Sequence, residues 1–316
     1  MALTTAEFSY NGTYTTAVEE HTGIGSVFVL YLTGNGTLVL NKNYTVDIWL
    51  CGGGGCGATG SSSPYGGGGG AGGYVAQQNG ALLEKGTEYD AVIGEGSTLW
   101  ANAGGTTSFF SLEAAGGTRG TNARYGGTGG SGGGAGASAD FRSTTDATSG
   151  AQNGASVTGS YGGSGAGTST YMFGDSILTL CCSGGGGGGA SYSRDLGAIY
   201  HSNQGKSAAG APGAGDGASA PNLKGTAATG YGCGGGGGYG HYSEAYQSGD
   251  TTKGGAGYQG VVAIRFLEAA ENGPYWGIKK NGVVSKLTGV PGVRNSGSIV
   301  IPRWGVRKNG EIVWFN

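Results

Sequence analysis

Tyr44-Thr-Val-Asp-Ile-Trp-Leu-Cys-Gly-Gly-Gly-Gly55 decides how this chain is read. A β-branched and aromatic segment, with the composition of a strand, runs without a turn into unbroken glycine. Further runs lie at residues 66–70, 184–189 and 234–238, residues 126–136 are nearly as dense, and glycine totals 77 of 316 residues. Such a run has no side chains to bury. It is either a flexible linker or a segment ordered by backbone contacts alone.

Collagen is excluded, because its triple helix needs glycine at every third position and abundant proline, whereas here the glycines are contiguous and prolines number 6. A Gly/Ser linker is the competing reading. Three features count against it: charged residues are only 11% of the chain, tyrosine reaches 18 copies, and good strand segments separate the runs. Disordered chains are usually highly charged and poor in aromatics. The ordered alternative is a polyproline II-type helix of glycine, with three residues per turn and no internal hydrogen bonds, in which six residues span roughly 19 Å. Buried N–H and C=O groups must then pair with neighbouring helices of the same kind, and only glycine permits so close an approach. Ordering each residue costs about 1–2 kcal/mol, so several runs must pack together.

Residues 6–50 read as β structure. Phe8-Ser-Tyr10, Ser26-Val-Phe-Val-Leu-Tyr-Leu32, Thr37-Leu-Val-Leu40 and Tyr44-Thr-Val-Asp-Ile-Trp-Leu50 are separated by turns at Gly34-Asn-Gly36 and Asn41-Lys-Asn43. Short runs of this kind suggest an antiparallel sandwich. Later segments repeat the passage from strand to glycine. Thr106-Thr-Ser-Phe-Phe-Ser-Leu-Glu-Ala114 and Tyr171-Met-Phe-Gly-Asp-Ser-Ile-Leu-Thr-Leu180 each read as one strand, and Gly257-Tyr-Gln-Gly-Val-Val-Ala-Ile-Arg-Phe266 as the closing strand. No long segment has helical periodicity. In the tail, Trp276-Gly-Ile-Lys-Lys-Asn-Gly282 recurs as Trp304-Gly-Val-Arg-Lys-Asn-Gly310. Asn-Gly between β segments predicts type I′ hairpins. The expected fold is all-β: N-terminal sandwich strands over 1–50, a packed polyglycine II bundle with exposed loops over 51–268, and a small β-hairpin module over 269–316.

Residues 1–268 carry a net charge of −7 and residues 269–316 one of +5. The basic charges of the tail are spread along its β segments, which reads as a solvated face or docking surface and not as a nucleic-acid site. Met1-Ala-Leu-Thr-Thr-Ala-Glu7 lacks the basic start and apolar core of a secretory signal. No stretch reaches the ~20 apolar residues of a membrane span. Cytosolic synthesis, solubility and no membrane insertion are therefore expected.

Catalytic signatures are weak. His21, His201 and His241 stand in no nucleophile motif. Gly205-Lys-Ser207 resembles the end of a phosphate loop, but Tyr200 occupies the position where that motif needs glycine. Cys51, Cys56, Cys181, Cys182 and Cys233 show no Cys-x-x-Cys pair. They read as small buried thiols where strands meet the glycine bundle. An extended run at 52–55 would hold Cys51 and Cys56 roughly 15 Å apart, beyond the ~7 Å that a disulfide permits. No enzyme activity, cofactor or metal is expected.

Polar loops at 58–65, 137–161, 191–231 and 239–253 are rich in Tyr, Ser, Thr and Asn. This composition suits adaptable binding surfaces. Tyr192, Tyr200, His201, His241, Tyr242 and Tyr246 are the candidate receptor-binding residues. The alternative is that these tyrosines simply cover the glycine bundle, since tyrosine suits half-wet positions.

The order of segments carries a resemblance. Tyr44–Leu50 enters Cys51-Gly-Gly-Gly-Gly55. Then come the run ending at Tyr74, Glu88-Tyr-Asp-Ala-Val-Ile-Gly94, Thr106-Thr-Ser-Phe109, the run at 184–189 and Gly257-Tyr-Gln-Gly-Val-Val-Ala-Ile-Arg265. Over residues 6–268 this resembles the glycine-rich domain of tail-fibre and receptor-binding proteins of bacteriophages and prophages. It is similar in style to the tip adhesins of T-even phage long tail fibres, where glycine helices carry variable loops to the host receptor. The basic hairpin repeat is a departure from that pattern. The resemblance implies a virion tail protein made in the bacterial cytoplasm. Its partners would be a host cell-surface glycan or protein, other tail proteins and copies of itself in a trimer. A purely structural tail component, or a glycan-degrading tail enzyme, is the alternative.

Overall fold

The computed structural model of the chain describes residues 7–21, 25–60, 66–98, 101–121, 125–137, 172–174, 181–188, 190–194, 198–201, 213–218, 223–242, 253–267, 277–280, 283–286, 304–308 and 311–315. The elements are β throughout: β1 (Phe8–Tyr10), β2 (Tyr14–His21), β3 (Gly25–Leu32), β4 (Gly36–Leu40), β5 (Tyr44–Cys51), β6 (Val75–Leu83), β7 (Glu88–Val92), β8 (Thr107–Phe109), β9 (Leu112–Ala114), β10 (Ala190–Arg194), β11 (Ala198–His201), β12 (Gly240–Tyr242) and β13 (Val261–Phe266). Among the described residues there is no α-helix, and none is long and apolar enough to cross a membrane.

Two antiparallel five-stranded sheets carry the core, in the orders β1-β4-β7-β8-β9 and β2-β3-β13-β5-β6. Both sheets mix strands from before and after the first glycine run. In particular, β13 inserts between β3 and β5, pairing Ile264 with both Leu30 and Ile48. The last apolar strand of the glycine-rich region therefore completes the sheet begun by the first residues.

Period-two alternation explains how β5 is buried on both faces. Val46, Ile48 and Leu50 join Leu38, Leu40, Phe109 and Ile264 in the core between the sheets. Trp49 and Cys51 face the other way and pack with Val29, Met172, Phe173, Cys182 and Ala263. Each fully buried large apolar side chain contributes about 1.5–3 kcal/mol.

Two segments depart from the sequence expectation. Residues 106–114 form two strands, β8 and β9, paired through Phe109 and Leu112. The chain reverses at Phe110, which takes a positive φ of 57°. A turn made by Phe110-Ser111 carries none of the glycine or asparagine that normally marks one. Within 171–180, Met172–Gly174 is a 3-10 turn and not a strand, with Phe173 at φ 55° and both Met172 and Phe173 buried. Residues 175–180 lie outside the described residues.

A charged pair sits inside this second face. Asp47 and Arg265 are level on β5 and β13, and Arg265 Nε donates to Asp47 Oδ2 at 3.0 Å. The guanidinium lies over the Phe173 ring, 4.5 Å from its centroid. Asp47 Oδ1 accepts the Gly80 N–H at 2.8 Å. Gly80 has φ 66°, where the register of β5 and β6 slips. Only glycine takes that conformation without strain, so the bulge aims an N–H at a carboxylate that burial would otherwise leave short of partners.

The glycine runs are ordered and buried, and their hydrogen bonds go outward. All nine successive N–H groups from Gly66 to Tyr74 donate to other segments at 2.8–3.2 Å. Their acceptors cycle with a period of three. Gly66, Gly69 and Gly72 reach Ala137, Gly134 and Ser131; Gly67, Gly70 and Gly73 reach Gly238, Gly235 and Gly232; Gly68, Ala71 and Tyr74 reach Thr121, Thr118 and Ala115. The carbonyls of the same run accept from three more neighbours, among them Gly52 and Gly55 on Tyr74 and Ala71, Gly127 on Gly69, and Gly185 and Gly188 on Gly70 and Gly67. One extended segment thus touches six others, with no bond to itself.

The array is wider than the pure glycine runs. The region 191–231 is not one loop: residues 213–218 and 223–229 return to it, with Gly215 donating to Gly234, Ala218 to Gly237, and Gly236 to Thr226. Residues 93–97, 103–106, 115–121 and 254–260 also join, through bonds such as Ser97 to Gly54 and Gly57 to Gly255. These outer segments carry Thr, Ala, Glu and Arg because one side of each faces solvent.

Residues 270–316 form a separate unit. In it Gly277–Lys280 (β14) pairs antiparallel with Val283–Lys286 (β15), and Trp304–Lys308 (β16) with Glu311–Phe315 (β17). The Asn-Gly dipeptides and Trp276 lie outside the described residues.

Candidate functional site

The array joins two unlike ends. At one end its segments continue into the sheets: Gly52 follows β5, Tyr74 precedes β6, Ala115 follows β9 and Gly260 precedes β13. They are tied together there, Gly52 donating to Tyr74 and Tyr74 to Ala115. At the other end Gly66 donates to Ala137, Ala137 to Gly188, Gly67 to Gly238 and Gly238 to Ala58. Each of these residues borders one of the polar stretches singled out in the sequence. Eight residue steps along one extended run, from Gly66 to Tyr74, separate the two ends.

Three strands stand directly after the array at that second end, in the order β11-β10-β12. β10 continues the run at 184–188 and β12 the run at 234–238. Those runs are parallel, Gly234 and Gly237 donating to Ser183 and Gly186 at 2.8 Å, and β10 and β12 keep that sense, Ala190 pairing with Gly240. β11 returns antiparallel to β10.

This register brings five of the six candidate residues together. Tyr200 is level with Tyr192, and Tyr192 with Tyr242. His201 is level with Ser191, and Ser191 with His241. Tyr246 lies outside the described residues, and His21 is on β2, in a different sheet. Ser191 is the residue that composition did not single out. Its place in the row follows from the pairing of β10 with both neighbours, which no local pattern encodes.

Cys51, Cys181, Cys182 and Cys233 gather at the opposite end, whereas Cys56 sits further along the array beside Ser97. None of the five is in a disulfide, and all are buried. A Cβ built on Gly232 would lie 2.7 Å from Cys182 Sγ and 2.9 Å from Cys51 Sγ, so these thiols flank one glycine. Burial pushes the Cys181 and Cys182 thiols well up and Cys233 up to about 11, and it raises Cys56 as well. Neutral thiols of this kind pack as small apolar groups and are poor nucleophiles. Among the described residues, no group of three or more His, Cys, Asp or Glu side chains is placed to hold a metal ion.

A search of curated proteins finds no match. Residues 32–267 match the family described as a glycine-rich domain. The match starts at the end of β3 and closes just after β13, so it spans strands of both sheets and every segment of the array. It covers about three quarters of the sequence, and the chain belongs to the glycine-rich domain family.

Proposed function

We propose that this chain is a phage tail-fibre or tail-tip protein that recognises a host cell-surface receptor without covalent chemistry. A β-sandwich made by the two sheets anchors a packed polyglycine II bundle. The bundle presents sequence-tolerant loops at its far end, and the 269–316 hairpin module serves as a docking surface. The observation that supports this most is the three-residue cycle of outward hydrogen bonds along 66–74, the period expected of a three-residue turn without internal bonds. A scaffold held by backbone alone leaves its terminal loops free to vary. The loops bind a host glycan or protein, other tail proteins hold the particle end, and a homotrimer fits the fibre role. No cofactor takes part.

The test is binding of the purified, fluorescent full chain to a panel of bacterial strains, beside a variant with residues 202–212 and 243–252 shortened. Strain-selective binding that the variant loses supports the reading. A folded protein that binds no strain contradicts it and leaves a structural tail component.

A further inference from the structure

We propose that Cys51 and Cys182 are a dithiol that closes into a disulfide when the chain meets an oxidising small-molecule disulfide, stapling the end of β5 to the start of the glycine run at 184–188. The staple acts on the scaffold and does not depend on what the loops bind.

The two thiols converge on Gly232. A Cβ at that position would lie 2.7 Å from Cys182 Sγ and 2.9 Å from Cys51 Sγ, so the sulfurs are no further apart than those two distances together. Cys51 and Cys182 are also hydrogen-bonded side chain to side chain. Gly232 is pinned from both sides, its N–H donating to Gln259 at 2.7 Å and its carbonyl accepting from Gly73 at 2.8 Å. Its missing side chain leaves the meeting place of the sulfurs clear. Cys182 supplies a second observation. It holds a φ of 59°, a conformation that glycine takes freely and a residue with a Cβ rarely does. Glycine fills 184–189, yet this position carries a cysteine. Strain kept at a residue whose sulfur meets another sulfur points to a use for that sulfur. The neighbouring thiols are worse partners. Cys181 and Cys182 are consecutive, and Cα atoms about 3.8 Å apart fall below the usual disulfide range of roughly 4.4–6.8 Å. The Cys233 thiol is turned to the Tyr231 carbonyl, 3.7 Å away.

The step is a thiol–disulfide exchange. One thiol loses its proton and attacks the S–S bond of the oxidant, which releases one small thiol and leaves a mixed disulfide. The second thiol then loses its proton and displaces the other small thiol. Two cysteines are oxidised, one S–S bond forms, and the oxidant is reduced to two thiols. Both cysteines are fully buried, so the exchange waits on local opening and is slow. The same burial shields the product from reductant. The pair therefore acts as a lock set once, on leaving a reducing compartment, and not as a rapid sensor. The link closes a loop of about 130 residues, and long loops lose the most freedom in the unfolded chain.

The experiment uses the full chain, first reduced and then held below its melting temperature in a buffer of oxidised and reduced glutathione. Incubation continues until a parallel sample in a thiol reagent has labelled every cysteine, which shows that each thiol has become accessible. Peptide mapping without reduction should then find Cys51 joined to Cys182, and two fewer cysteines should take the label. The melting temperature should rise by roughly 5–10 °C and fall back once the link is reduced. Cys51→Ala and Cys182→Gly should each abolish both the link and the rise. Mapping of the unaltered chain decides the matter even where a variant fails to fold. A folded chain with no link, beside a fully labelled parallel sample, overturns the proposal. So does a link through Cys56, Cys181 or Cys233 in its place. A Cys51–Cys182 link that leaves the melting temperature unchanged overturns the staple.

Discussion

Gly70 and Gly55 meet backbone to backbone: a Cβ built on Gly70 would sit 2.0 Å from the Gly55 carbonyl oxygen. That oxygen already accepts the Gly235 N–H at 2.9 Å. A methyl group at residue 70 must therefore push apart two segments that are themselves bonded to others. Gly70→Ala should destabilise the protein by about 3 kcal/mol, at the upper end of typical overpacking costs. Gly86 is the control. It has φ 71° and open space around its Cβ position, so Gly86→Ala should lose only about 1 kcal/mol of backbone strain. Denaturant unfolding of both variants checks the difference.

The pair Asp47–Arg265 gives a second prediction. Both side chains are buried, and removing one partner leaves the other charge without its counterion. Arg265→Leu alone should cost about 3–5 kcal/mol. Adding Asp47→Asn removes the stranded charge while keeping an oxygen for the Gly80 N–H, and should recover at least 1 kcal/mol. A double-mutant cycle by denaturant unfolding measures this. Equal stability of the single and double variants would contradict it.

How much of this was legible in the sequence depends on where the information resides. The strand Tyr44–Cys51 and the closing strand Val261–Phe266 were readable, because both are dense in β-branched and apolar residues. Tyr14–His21 was not, because it is an edge strand whose Tyr14 and Val18 are exposed. Phe110 hid a reversal behind a side chain that rarely takes positive φ. The order of the glycine runs followed from their lack of side chains, but their neighbours did not. Nothing near Gly70 indicates Gly235 or Gly185, since each is a contact between distant segments. For the same reason Thr118, Arg119 and Thr226 masked array segments that are only partly glycine. Composition singled out the candidate tyrosines, and the level placement of Tyr200, Tyr192 and Tyr242 came only from the pairing of β10.

Burial of the thiols makes stability depend on alkaline pH. Cys233 is raised from 9.0 to about 11, and Tyr10 from 10.0 to about 12; Cys56, Cys181 and Cys182 shift the same way. A raised folded value means that the native state holds its proton where the unfolded chain has lost it. The contribution is complete below pH 9 and fades as pH rises through 11 and 12. The melting temperature should therefore be flat from pH 7 to 8.5 and fall steadily above 9. In the same samples at pH 8, a thiol reagent should label the native protein slowly and all 5 cysteines once it is unfolded. Rapid labelling of the native thiols would contradict their burial.

The most direct measurement is amide hydrogen exchange along residues 66–74. Every N–H in this stretch is bonded to another segment, although none belongs to a named strand. All nine should exchange far more slowly than an unstructured glycine peptide, with protection close to that of β5 and β13. Exchange at the peptide rate, beside protected β strands, would show that the glycine runs are linkers and that no backbone-packed scaffold carries the loops.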